Sequence, residues 1–172
     1  MTVGEKPTSR DLLKAIQIHD INRVRLLLEQ GADPNEKYFD TNSTDPLLHC
    51  AVVSDKSGEL VKLLVAYGAK LDVKNHNDLT PLMYAVCYNN IPAIRFLIEK
   101  GASIDNKDRF DRTALSIASE GDGKKVIAQI INDAIAQRQQ LAEERKILEF
   151  RNTAAARQAA LNSRRPKVIL KP

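Results

Sequence analysis

The stretch LTPLMYAVCYNN, residues 79–90, sets a proline and an apolar run between two polar loops. Thr80 is placed to cap a helix through its hydroxyl, and Pro81 follows at the first helical position, where a missing N–H costs nothing. Leu82 and Ala85, three apart, share one face of that helix, and the small alanine lets a neighbouring helix come close. The helix is expected to stop near Asn89. A second helix then carries Ile94, Phe96, Leu97 and Ile98, with Phe96 read as core, and Gly101 ends it in the left-handed backbone that glycine adopts freely.

The same pattern recurs along the chain. VRLLLEQGA, VKLLVAYGA and IRFLIEKGA each close on a Gly-Ala pair, beginning at Gly31, Gly68 and Gly101, which are 37 and 33 residues apart. Upstream of these, LLKAIQI, PLLHCAVV, TPLMYAVC and TALSIAS carry Ala15, Ala51, Ala85 and Ala118, spaced 36, 34 and 33 residues. A period of this length signals stacked units of two short helices and a loop. The stop positions align as His19, Asn89 and Asp122, residue types that tolerate left-handed backbone. Thr8-Ser9-Arg10-Asp11 fits a capping box for the first helix. Val126, Ile127, Ile130 and Ile131 supply the last second helix, and no Gly-Ala stop follows it.

LTPLMYAV with EKGASID, PLLHCA with YGAKLD, and RTALSIA together resemble the ankyrin repeat family and its T-P-L-H-x-A signature, over about residues 9–135. The resemblance implies an all-α solenoid of about four helix-turn-helix units, with β-hairpin-like finger loops projecting at the junctions and a C-terminal helical extension. The expected divisions are 1–8, an N-terminal tail; 9–137, the repeats (9–41, 42–74, 75–107, 108–137); and 138–172, a basic extension. The pattern departs from the family at Met83 and Ser116, which replace the signature histidine, at Pro46-Leu47, which replace Thr-Pro, and in inserted residues around 38–44 and 54–58. Those insertions put the regularity of the second junction in question.

Charge separates the front of the chain from its end. The formal net charge is +4, but residues 138–172 carry nine Lys or Arg and three Glu, leaving the first 137 residues slightly acidic. This tail is rich in helix formers. Ala134, Leu141, Leu148 and Ala155 recur every seven residues, yet Arg138, Arg145 and Asn152 fill the other seam position, which makes a poor coiled coil. The tail reads as an exposed helix, or one that folds back through Leu141, Ile147, Leu148 and Phe150. Sharper readings, resting on its charge and on Ile169 and Leu170, are an acidic partner, a membrane surface or a C-terminal export signal. Nucleic acid is disfavoured, because Phe150 is the tail's one aromatic residue.

No constellation for catalysis, cofactor or metal rises above background. His19, His49 and His76 stand at three different repeat positions, and His49, at the signature position, reads as structural. No phosphate loop, HExxH or GxSxG occurs. Asp105, Asp108 and Asp111 read as acids of a solvated loop, without the desolvation that tunes acid–base groups. Cys50 and Cys87 read as small buried side chains of a chain kept in a reducing, cytoplasmic compartment. No run approaches a membrane span, and the start lacks the apolar block of a signal peptide.

Surface recognition of another protein is therefore the expected function, as an adaptor, inhibitor or translocated effector. The alternative is an assembly subunit whose tail makes the main contact, with self-association through it; otherwise the chain is expected to be a monomer. Carried over from the family's variable positions, the partner-binding residues are Lys37, Lys74 and Lys107 in register on successive fingers, with Tyr38, Phe39, His76, Arg109, Phe110 and Arg112 beside them. Cys87, Tyr88 and Glu120 on the first helices and Tyr67 before Gly68 complete the set. The lysines read either as a ladder selecting an acidic partner or as a solvated rim. Tyr84 reads as core, and Tyr88 is equally compatible with packing between repeats and with contacting a partner.

Overall fold

The computed structural model describes residues 7–36, 45–121 and 124–163, with side chains as far as Arg157. Lys37, Tyr38, Phe39 and Asp122, together with Ile169 and Leu170, lie outside the described residues. Eight helices occur among those described: α1 (Ser9–Gln17), α2 (Ile21–Glu29), α3 (Leu47–Ser54), α4 (Glu59–Ala66), α5 (Pro81–Cys87), α6 (Ile91–Glu99), α7 (Ala114–Ser119) and α8 (Lys125–Ser163). The boundary between two compact units falls between Asn132 and Asp133.

In the first unit the helices pair as α1–α2, α3–α4 and α5–α6. Each pair stacks on the next through α1–α3–α5–α7 in one row and α2–α4–α6 in the other. The core lies between the rows. Leu12, Ile16, Leu47, Leu48, Leu82 and Met83 fill it from the first helices, and Leu60, Leu64, Ile94, Leu97, Ile127 and Ile131 from the second. Each of these is a large side chain almost wholly removed from water, worth about 1.5–3 kcal/mol of transfer free energy. The all-α ankyrin-type solenoid expected from the repeats is what the chain forms. Three core assignments need correction: Tyr84 and Phe96 are half-buried, the latter with the Lys100 ammonium 5.4 Å from its ring centre, and Val126 faces solvent. Each sits at the edge of its helix's apolar face, where the 3.6-residue period turns a side chain outward.

Caps fix where the helices begin. The Thr80 hydroxyl accepts from the Met83 N–H at 3.4 Å, and Thr8 forms the expected capping box with Asp11. Thr113 and Ser116 form another box, so Ser116, at the position of the signature histidine, caps α7 instead. His19 and Asn89 hold φ of 57° and 54°, and Gly31, Gly68 and Gly101 hold 89°, 88° and 93°. A Cβ at Gly101 would meet nothing within 4 Å, so strain alone opposes one there. Gly101→Ala is expected to lower stability by about 1 kcal/mol, read as a reduced urea midpoint at unchanged slope.

The inserted SDKSG segment is an ordered turn rather than a break in the stack. Asp55 is buried, and its Oδ1 accepts from the Ser57 N–H at 2.8 Å and the Ser57 hydroxyl at 2.6 Å. Its Oδ2 accepts from the Leu60 N–H at 2.8 Å, so one carboxylate spans the insertion and caps α4. Burial pushes the Asp55 carboxyl up, but these bonds outweigh it and hold the group below its usual range. Gly58, at φ 77°, turns the chain into α4.

In the second unit α8 runs on to Ser163. Leu141, Ile147, Leu148 and Phe150 are exposed along it.

Candidate functional site

The fingers are built by buried Asx side chains. Asn75 Oδ1 accepts from the N–H groups of Asn77 and Leu79, both at 3.0 Å, and the Asn75 N–H donates to the Leu79 carbonyl. Thirty-three residues on, Asp108 repeats the arrangement: its Oδ1 accepts from the Phe110 and Arg112 N–H groups, both at 2.9 Å, and its own N–H donates to the Arg112 carbonyl. Asp78 and Asp111 take φ of 59° and 62° to close the two turns. The fingers are hairpin-like in bonding, with no assigned strand among the described residues. The Arg109 N–H donates to the Asn77 carbonyl and ties the third finger to the second.

Asp108 is therefore not an acid of a solvated loop; it is 6% exposed. Burial raises its pKa, but the two backbone bonds and the Arg112 guanidinium, at 2.8 and 3.0 Å from Oδ2, hold the carboxyl below its usual range. Arg112 also reaches Glu120 at 3.4 Å, linking the finger to the end of α7. Phe110, 62% exposed, lies with its ring centre 4.8 Å from the Arg109 guanidinium carbon and 5.1 Å from that of Arg112.

The second finger closes on α3 and α5. His76 Nδ1 lies 3.4 Å from Asp45, and the Tyr84 hydroxyl donates to the same carboxylate at 2.9 Å. His49 packs edge-on against the half-buried Tyr84, and Tyr84 lies against Tyr88 with ring centres 4.9 Å apart. Burial, then the bonds to Tyr88 and Asp45, raise the Tyr84 phenol. Tyr88 is 42% exposed, and Lys56 from the inserted turn donates to its carbonyl at 2.7 Å.

The remaining sequence-expected residues are scattered over this surface. Lys74 is exposed and donates to the Lys107 carbonyl at 2.9 Å, while the Lys107 ammonium pairs with Asp111 at 2.8 Å. Lys74 thus reaches the backbone of Lys107, whose own charge is answered on the spot. Tyr67 is exposed at the end of α4. Cys87 is exposed and Cys50 half-buried, which corrects their reading as buried side chains, since both sit on first-helix faces turned away from the core. Partial burial pushes the Cys87 thiol up, against the pull of Lys124 and Arg112.

The three histidines serve separate partners: His19 lies 3.9 Å from Asp55, His76 beside Asp45, and His49 2.8 Å from the Leu79 carbonyl. Burial holds the His49 imidazole below 6.5, so the neutral ring donates from Nε2. Because the unfolded chain takes up a proton that the folded chain refuses, stability is full above about pH 6.5 and falls as the pH drops below it. Urea midpoints at pH 7.5 and 5.5 are expected to show this loss, and His49→Gln to remove most of the difference.

Sequence reasoning missed Asn75 and Asp108, although their 33-residue spacing and shared Asx chemistry signal a repeated turn. It also missed Asp55, whose role depends on where the inserted turn brings the chain.

A family model described as ankyrin repeats, three copies, matches residues 48–140. A human protein, SH3 and multiple ankyrin repeat domains protein 1, is 31% identical over 106 residues, 62% of this chain and 5% of its own length. Two fowlpox virus ankyrin repeat proteins are similar as well. FPV034 is 29% identical over 96 residues, 56% of this chain and 21% of its own length, and FPV014 is 31% identical over 124 residues, 72% and 27%. The chain thus spans about a fifth or less of the first two relatives.

Proposed function

Since the chain belongs to the ankyrin repeat family, whose repeats are protein–protein interaction modules, we propose that it recognises a partner protein through its finger tips and the exposed ends of its first helices. The observation that carries this reading is the exposure of Tyr67, Tyr88 and Phe110, three large aromatic side chains, of which Tyr88 packs on Tyr84 and Phe110 lies beside Arg109 and Arg112. Exposed, pre-ordered aromatics are the side chains that anchor interfaces, because they bury much area at little entropic cost. Adaptor, inhibitor and delivered effector are all uses of such a surface. The poxvirus relatives fit the last of these. Among the described residues no helix is long and apolar enough to cross a membrane.

Exposure of Leu141, Ile147, Leu148 and Phe150 on α8 favours a second reading, in which the tail makes the main contact in an assembly. Photo-crosslinking residues placed singly at 67, 88, 141 and 148 of the full chain separate the two. Crosslinks to another protein from 67 and 88, absent from 141 and 148, are expected; the reverse pattern would transfer the function to the tail.

A further inference from the structure

The two described fingers differ at their tips. In the second, His76 and Asn77 are satisfied locally: the Asn77 amide and the His76 ring lie 2.9 Å apart, and His76 leans on Asp45. The equivalent positions of the third finger hold Arg109 and Phe110, and nothing covers that ring on its solvent side. Its backbone is braced by the buried Asp108 carboxylate, by Asp111 in the left-handed region and by the bond to Asn77, so the tip is ordered before any partner arrives.

Charge at this tip is uneven. Arg112 is committed to Asp108 and Glu120, and Lys107 to Asp111, whereas Arg109 makes no ion pair among the described residues. The Phe110 ring already lies near two guanidinium groups, yet most of the residue stays open to solvent. Lys74 adds an ammonium bonded to a carbonyl rather than to a carboxylate, so its charge stands uncancelled. A guanidinium stacked on a ring keeps its N–H edge open, and that edge matches a carboxylate with two parallel bonds.

We propose that the tip of the third finger is the anchor of the interface and takes an acidic peptide segment. A carboxylate of that segment meets Arg109, and an adjacent aliphatic side chain covers Phe110. This rests on the reading that the fingers and first helices form the recognition surface, and it deepens that reading by naming the partner's chemistry.

A random-peptide display library panned against the full-length protein tests it. Enriched peptides are expected to place Glu or Asp beside an aliphatic residue. Their affinity is expected to fall about tenfold or more with Phe110→Ala and with Arg109→Glu, and by a similar factor when the peptide's acid becomes its amide. Both side chains are solvent-facing, so the thermal midpoint of each variant should match the parent, which separates lost binding from lost folding. The proposal is overturned if no peptide is enriched, if the enriched peptides lack a carboxylate, or if both variants bind as the parent does. Peptides that lose affinity with Tyr88→Ala but keep it with Phe110→Ala would remove the anchor from the third finger and leave the recognition surface standing.

Discussion

Asn90→Ala is expected to cost about 3 kcal/mol, a large share of the stability of a domain this size. Asn90 is 1% exposed, and its Oδ1 accepts from the Ala93 N–H at 3.1 Å to cap α6. Its amide nitrogen donates to two carbonyls of the preceding repeat, Val52 and Asp55, both at 2.8 Å. Truncation therefore removes a cap, worth about 1 kcal/mol, and strands two buried acceptors, each costing about 1 kcal/mol or more. Asn90→Asp separates the two roles. One carboxylate oxygen keeps the cap, but the other, with no hydrogen, is turned toward the two carbonyls, so it is expected to be at least as damaging. Chemical denaturation of both variants is the measurement, and an Asp variant near the parent's stability would show that the inter-repeat bonds contribute little. The chain itself carries the comparison: Asp20 caps α2 at 2.9 Å from the Arg23 N–H and is exposed, whereas Asn90 is buried.

Asp108→Ala is expected to cost a similar amount, about 3 kcal/mol, and to unbrace the third finger. Two backbone N–H groups would lose a buried acceptor, and the partly exposed Arg112 guanidinium its partner. Asp108→Asn keeps the backbone bonds, as Asn75 does in the second finger, and should lose less than half as much. Acid distinguishes them further. The folded Asp108 carboxyl lies below 3.8, so its contribution is present above about pH 3.8 and disappears as the pH falls through the folded value. Urea midpoints of parent and Asp108→Asn should therefore converge on acidification. A gap that stays constant from neutral pH into that range would mean the charge is not what stabilises the finger.

The stack was legible in the sequence because its determinants are local. Thr80 and Pro81 announce a helix start, Gly31, Gly68 and Gly101 a helix end, and the alanines a close approach, each through backbone or short-range sterics. Asp108 was not, since a charged residue in a polar loop looks solvated until the turn folds around it. Asp55 failed to show for a related reason: its partners at Ser57 and Leu60 are near in sequence, but Leu60 comes onto the same carboxylate only after the chain turns at the left-handed Gly58. The candidate surface was legible as positions and not as states. Aligning repeats selects Arg112 and Lys107 alongside Arg109, but only the bonds to Asp108 and Asp111 reveal which cations are already engaged.

The succession of contacts from α1 to α3 to α5 to α7, each element touching the one before and the one after, has a mechanical meaning. Among the described helices the main contacts join neighbours, so a chain pulled from its two ends meets no long-range clasp there that must break before anything else yields. It should give way one helix pair at a time at low force, extending in steps of about one repeat's contour length and recoiling by the same steps when released.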